Sequence, residues 1–262
     1  MNINAENRFS DRVENYIKFR PHYPQGVVDL LLQKNHFSAN TTIADIGSGT
    51  GISAELFLKN NFKVIGVEPN NTMREAAEDI LKEHPNFVSI NANDINTALE
   101  NNSLDGIIAA QAFHWFDKEK FKTECKRILK PNAQVALIWN DRKTEGNDFL
   151  KLYEEFLHMF STEYAQVNHK NTQSAEVFDA FFGKACLPDR QGNYTEYTLD
   201  NYQDVDLFGL RGRVLSSSYM PNTESKEYEY MMYVLRKIYQ RYQENNKVRL
   251  EYNTKIYVGT VN

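Results

Sequence analysis

The chain has 262 residues, enough for one sizeable hydrophobic core or for one core with an inserted lobe. Its 41% hydrophobic and 25% charged content fit a soluble globular protein, and a net charge of −5 with no Lys/Arg block argues against a nucleic-acid partner. No apolar run approaches a membrane span, the N-terminus lacks the apolar core of an export signal, and Cys125 and Cys186 lack metal spacing, so a reduced cytoplasm and no membrane partner are expected.

Residues 10 to 19 predict a short helix, with Ser10 as N-cap and Val13, Tyr16 and Ile17 on one face. Pro24 opens a second helix through Val27, Val28, Leu31 and Leu32. Strand one is placed at 42 to 46, a helix at 52 to 60, and strand two at 63 to 67. A helix at 71 to 82 carries apolar residues at 73, 76, 77, 80 and 81. Strand three runs from Phe87 to Ile90 and strand four from Gly106 to Ala110, introduced by Asp105. A helix at 118 to 129 precedes strand five, Gln134 to Trp139. Strands alternating with helices imply an α/β fold with a doubly wound parallel sheet.

After Trp139 the rhythm changes. Helices are expected at 147 to 160 and 173 to 182 with no strand beside them, so 143–190 reads as a helical insertion on the ligand side of the sheet. Tyr194 to Leu199 is a sixth strand, and 224 to 244 a long helix. Val248 to Val258 alternates and is β-rich, fit to close the sheet as an antiparallel partner.

The chemistry begins at strand one. Ile43-Ala-Asp-Ile-Gly-Ser-Gly-Thr-Gly51 is an apolar strand running into a glycine turn and a helix. Strand two then ends in an acid, Glu68, followed by Pro69. Glycines let a backbone pass close to a ligand, and an acid at the tip of the second strand can accept from both hydroxyls of a ribose. Gly49-Thr-Gly-Ile-Ser-Ala54 also satisfies the loose dinucleotide pattern, a weak match taken alone. Two details point elsewhere. Asp45 lies inside the strand end, and the glycines fall at 47, 49 and 51, every second residue, so the turn is broad.

Asp45-x-Gly47-x-Gly49-x-Gly51 with Glu68 resembles motif I of the class I S-adenosylmethionine (SAM) methyltransferases. The likeness extends to Leu129-Lys-Pro-Asn-Ala133, where Asn and Ala replace the family's two glycines, and to Ser103-Leu-Asp105. It implies a Rossmann-like seven-stranded sheet in the order 3-2-1-4-5-7-6, with strand seven antiparallel. SAM is the implied cofactor, met by Asp45, Gly47, Ser48, Gly49, Gly51, Glu68 and Pro69, and by the adenine-side stretch Asn93, Asp94 and Ile95.

Two further strings are similar to a small-molecule subgroup that includes trans-aconitate methyltransferases: Arg20-Pro-His-Tyr23-Pro24 and Gln111-Ala-Phe-His-Trp-Phe116. There an N-terminal helix caps the cofactor. The resemblance therefore implies one methyltransferase domain over 1–262, a helical cap over 1–36, and the insertion 143–190 over the active site. Tyr16 and Arg20 would join the cofactor set, and Gln111 would reach its amino-acid end. Tyr23, Phe113, Trp115 and Arg142 are candidate substrate contacts, and His114 is the candidate base, with a loop-ordering role equally open.

The expected reaction is methyl transfer from SAM to a small molecule, with a carboxylate favoured by Arg20, Arg142, Arg211 and Arg213. An NAD-dependent oxidoreductase and a SAM-binding regulatory protein without turnover are the rivals. The acceptor's identity and the oligomeric state are open at this point.

Overall fold

In the computed structural model, the residues described are 12–34, 36–161, 163–164, 173–183 and 193–261. Ser10 and Cys186 lie outside them. The helices and strands in chain order are α1 (Val13–Phe19), α2 (Gly26–Gln33), β1 (Thr42–Ile46), α3 (Ile52–Leu58), β2 (Lys63–Val67), α4 (Asn71–Leu81), β3 (Phe87–Ile90), β4 (Leu104–Ala110), α5 (Lys118–Ile128), β5 (Leu129–Arg142), α6 (Asp148–Phe160), α7 (Ala175–Phe182), β6 (Tyr194–Val205), α8 (Leu207–Leu215), α9 (Tyr228–Tyr242) and β7 (Val248–Gly259). The strands form one sheet in the order β3-β2-β1-β4-β5-β7-β6. β7 runs antiparallel to both neighbours, and the pairings among β1 to β5 are parallel.

The sheet is apolar on both faces because helices cover both. In β4, Ile107 and Ala109 pack on one side and Ile108 and Ala110 on the other. β5 repeats the alternation, with Val135, Leu137 and Trp139 opposed to Ala136 and Ile138. α2 and α3 cover one face through Val27, Leu31 and Phe57. α5 and α7 cover the other through Phe121, Ile128, Phe178 and Phe181. α4 buries a narrower stripe than its periodicity predicts. Met73, Ala77 and Leu81 are inside, while Ile80 is 41% exposed.

β5 starts five residues earlier than the apolar run suggests, so the Lys130-Pro-Asn-Ala stretch belongs to the strand. Asn132 takes φ +64°, the left-handed conformation that Asn tolerates where the family has glycine.

The described parts of 143–190 do not pack as one insertion over the cavity. α7 lies in the flanking layer: Phe178 stacks on Tyr257 at 4.0 Å and Phe181 on Phe121 at 5.5 Å. Its three phenylalanines, Phe178, Phe181 and Phe182, are all buried there, and the sheet offers the apolar surface they need. α6 packs instead with α8, α9 and the far ends of β6 and β7 in a second cluster around Phe156, Leu210, Leu235 and Tyr252. The described residues of the expected 1–36 cap are also divided. α2 is a layer helix, and α1 alone rises to the cavity, where it packs on α8, a helix the sequence reading leaves out. Among the described residues no helix is long and apolar enough to cross a membrane, and no His/Cys/Asp/Glu group is arranged to hold a metal.

Candidate active site

The strand order reverses between β1 and β4, and the carboxyl ends of β1, β2, β4 and β5 meet a cleft there. Its volume is about 930 Å³ with the open mouth included.

The floor is the turn after β1. Gly47, Gly49 and Gly51 all have positive φ, at 71°, 55° and 84°. At Gly47 a Cβ would lie 2.7 Å from the Ala112 Cβ, so both conformation and space demand glycine. At Gly49 a Cβ would meet nothing nearer than the Met73 sulfur at 3.9 Å, which leaves that backbone open towards the cleft. The turn is tied to β2, because the Gly47 and Ser48 amides donate to the Val67 carbonyl at 2.8 and 3.2 Å. Glu68 closes the floor. Its carboxylate accepts from the Gly49 amide at 2.9 Å and from the Asn70 amide at 2.8 Å.

Asp45 lies beneath this turn, fully buried, and accepts from the Ser53 hydroxyl at 2.6 Å. Its other oxygen, Oδ1, is buried with no hydrogen-bond partner, as is the Thr50 hydroxyl on the cavity wall. Burial pushes the Asp45 carboxyl up to about 7; the Ser53 hydrogen bond opposes this and the Glu68 charge adds to it.

The roof comes from distant parts of the chain. Tyr16, Arg20, Pro21 and Tyr23 enter from α1 and the segment after it, and Arg213 from α8. Arg20 lies over the Tyr16 ring at 4.8 Å and donates to the Ser216 carbonyl at 2.8 Å. Arg12 holds the other end of α1 by donating to the carbonyls of Leu215, Ser217 and Met220. Burial raises the Tyr23 phenol well above its ordinary pKa, with Tyr16 and Asp45 adding to the rise, so it faces the cleft as a neutral hydroxyl.

Asn140, at the tip of β5, joins the parts. Its carboxamide donates to the His22 carbonyl at 3.3 Å and accepts from Thr254 at 2.6 Å and Asn201 at 3.1 Å. Its backbone carbonyl receives the Gln111 side chain at 3.2 Å. Gln111 sits at φ +55°, a strained conformation for a residue with a Cβ, of the kind that collects at functional turns.

Thus Tyr16, Arg20, Tyr23, Gly47, Ser48, Gly49, Glu68, Gln111 and Trp115 line one cleft. Gly51 starts α3 behind it, and Pro69 is half-buried beside Glu68. The other predicted site residues lie off the lining. Phe113 is wholly buried among Phe121, Trp139 and Phe181, because a single 3₁₀ turn over Phe113–Trp115 sends it to the sheet and Trp115 to the cleft. His114, between them, packs on Trp115 at 4.9 Å. Arg142 points away and is paired with Glu154 and Tyr164. Asn93 is used by its own turn, accepting from the Ile95 and Asn96 amides at 3.2 and 3.1 Å. Asp94 is fully buried and receives the Asp117 amide at 3.0 Å, and burial raises its pKa. Ile95 is 38% exposed outside the lining.

Sequence reasoning passed over Asn140, Ser53, Thr50, Asn70 and Met73 as lining residues. Asn140 carried a signal: it is a polar side chain ending the apolar run of β5, on the edge where such folds bind ligands. Arg213 is expected from the sequence only as one of four arginines hinting at an acidic substrate, and tertiary packing alone brings it to the cleft.

Residues 44–137 match the family described as a methyltransferase domain. The strand order is that of the Rossmann-like sheet of methyltransferase structures. The chain is 30% identical over 135 residues to an uncharacterized methyltransferase-like protein of Schizosaccharomyces pombe, a match covering 51% of this chain and 52% of that one. A Saccharomyces cerevisiae protein, provisionally named a SAM-dependent methyltransferase, is 28% identical over 190 residues, covering 68% and 63%. The chain spans about half the length of the first of these relatives. A solved structure from Anaeromyxobacter dehalogenans, provisionally assigned as a type II methyltransferase, superposes with a TM-score of 0.66 at 20% identity, over 92% of this chain and 98% of that one. That superposition speaks for the fold.

Proposed function

We propose that this protein transfers a methyl group from SAM to a small-molecule acceptor that carries a carboxylate. The observation behind the reading is one cleft with Glu68 on its floor, Asp45 buried beneath that floor, and a roof of tyrosines and arginines lying over it.

The residues suit the cofactor. Glu68 would accept from ribose hydroxyls, as a carboxylate already held in place by two amides. Asp45, with its uncommitted Oδ1, would be the counter-charge for an ammonium group. Gly49 would let the ligand approach the backbone. When bound, SAM supplies an electrophilic methyl on a sulfonium. Tyr16 and Tyr23 would present ring faces to that positive charge. Asn140 would hold roof and floor in register, and most of the rate would come from positioning in a site that excludes water. A carboxylate acceptor is ionised at neutral pH and needs no base. That suits His114, which stands off the cleft lining.

The test is a metabolite pool incubated with radiolabelled SAM, followed by mass identification of the labelled product. The expected product is a methylated small acid, with labelling lost in Glu68→Ala as S-adenosylhomocysteine affinity falls at least about tenfold. Tight S-adenosylhomocysteine binding with no labelled product would favour the regulatory reading, and stabilisation by NADH alone would favour the oxidoreductase.

A further inference from the structure

Four arginines of this protein stand beside acids. Arg142 meets Glu154, Arg127 meets Glu124, Arg249 meets Asp204 and Arg74 meets Glu78, each within ion-pair distance of a carboxylate. Arg20 and Arg213 have no such partner among the described residues. Arg213 is only 9% exposed, and its side-chain contacts are long ones to hydroxyls: Ser216 at 3.4 Å, Ser217 at 3.3 Å and Tyr252 at 3.5 Å. Arg20 spends one nitrogen on the Ser216 carbonyl, and its Nε is buried with no acceptor. The charged and ionisable groups that shift Arg20 are Arg213 and the phenols of Tyr16, Tyr219 and Tyr252, and Arg20 acts in turn on the Tyr23 phenol. Burial and the Arg213 charge together lower the Arg20 pKa. Both guanidinium-bearing residues line the same cleft.

A buried guanidinium without a counter-charge is costly, and a second one beside it adds repulsion. A fold that keeps both facing a cleft leaves the balancing anion to a ligand. We infer that Arg20 and Arg213 form a two-guanidinium clamp for a carboxylate group of a ligand in this cleft. The chemistry suits it, because a guanidinium fork binds the planar anion through paired hydrogen bonds. The inference rests on the methyltransferase reading only for the source of the carboxylate, which is either the amino-acid end of the cofactor or the acceptor.

Calorimetry on the full chain separates these sources. The probes are S-adenosylhomocysteine, its decarboxylated analogue, and citrate added to the S-adenosylhomocysteine-loaded protein. The variants are Arg213→Gln, Arg213→Lys and Arg20→Gln. If the cofactor supplies the carboxylate, S-adenosylhomocysteine binds the wild type at least about tenfold more tightly than the decarboxylated analogue, and Arg213→Gln erases that gap. If the acceptor supplies it, Arg213→Gln leaves both nucleosides unchanged and weakens citrate at least about tenfold, with Arg213→Lys between. In either case the Arg213→Gln melting temperature stays level or rises, because an unpaired buried charge has been removed. A structural arginine would lower it. Changes below about twofold for every probe, or a lowered melting temperature with unchanged binding, would overturn the clamp. If the wild type binds citrate but neither nucleoside, the methyltransferase reading fails while the clamp stands. Should Arg213→Gln not fold, Arg20→Gln carries the same comparison.

Discussion

The floor and the roof of the cleft are assembled in opposite ways. The floor is local: β1, its glycine turn, α3 and the tip of β2 lie within residues 42 to 70 and are joined by backbone hydrogen bonds. The roof is remote: Arg20 reaches the Ser216 carbonyl across 196 positions of sequence, and Asn140 reaches His22 across 118. Their charges are opposite too, with two acids below and two arginines above. The floor is therefore set by steric demands on single residues within the sheet, whereas the roof is a docked surface that can yield without unfolding the sheet.

Two glycines test that contrast most severely. In Gly47→Ala the new Cβ would meet the Ala112 Cβ at 2.7 Å, at a position with φ +71°. Neither neighbour is a flexible side-chain end, so the variant should lose about 2–4 kcal/mol of stability from left-handed strain and overpacking together. In Gly212→Ala the new Cβ would lie 2.0 Å from the Phe19 ring, a closer approach. Phe19 belongs to α1, however, and can move with it, while alanine gains about 1 kcal/mol of helix propensity in α8. Urea unfolding should show less than about 1 kcal/mol of change there. Hydrogen exchange over residues 13 to 19 should accelerate. If Gly212→Ala unfolds the protein as Gly47→Ala does, roof and floor are one cooperative unit.

The same contrast explains what the sequence could reveal. β1, β2 and β3 were readable to the residue, since short apolar runs between turns fix their own ends. The strand order followed from the motif I resemblance. α8 was not readable: Leu-Phe-Gly-Leu-Arg-Gly-Arg-Val-Leu has two poor helix formers, and Gly212 is there to admit Phe19, a contact no local pattern encodes. α7 was seen as a helix but misplaced, because an apolar face does not say which surface will cover it. Glu68 and the glycines were found by spacing, and Arg213 had no spacing to find. Phe113 and Trp115 are both expected at the substrate, although a single turn separates their directions.

A smaller effect resides in the floor's charge. The Asp45 carboxyl is raised to about 7 in the folded protein, above its ordinary value of 3.8. The folded state therefore holds a proton that the unfolded state gives up. That contribution is fully present below about pH 4 and declines as the pH rises towards 7. Asp45→Asn should flatten this part of the stability profile. Pairing with a ligand ammonium would draw the carboxyl back to its ionised form and release the proton. S-adenosylhomocysteine should then bind up to about tenfold more tightly per pH unit as the pH rises towards 7, levelling off above it. Calorimetry in two buffers of different ionisation enthalpy, near pH 6.5, would detect the released proton. Equal heats in both buffers would place the ammonium elsewhere.

The smallest expected effect is at His114, which belongs to neither floor nor roof. It follows Phe113, buried in the core, and packs on Trp115, which does line the cleft. Its influence should pass through the orientation of that indole. If the acceptor is the carboxylate proposed, it is already ionised and proton removal contributes nothing, so His114→Gln should cost about tenfold or less in kcat/KM. A positioned base for a hydroxyl or protonated amine would be worth roughly 10²–10⁴-fold. The wild-type pH profile discriminates further, since a base would give an acid limb that the variant lacks. A loss beyond about a hundredfold with S-adenosylhomocysteine affinity intact, together with that missing limb, would move His114 into the chemistry. It would also remove the reason for choosing a carboxylate acceptor, because such an acceptor leaves a base with nothing to do.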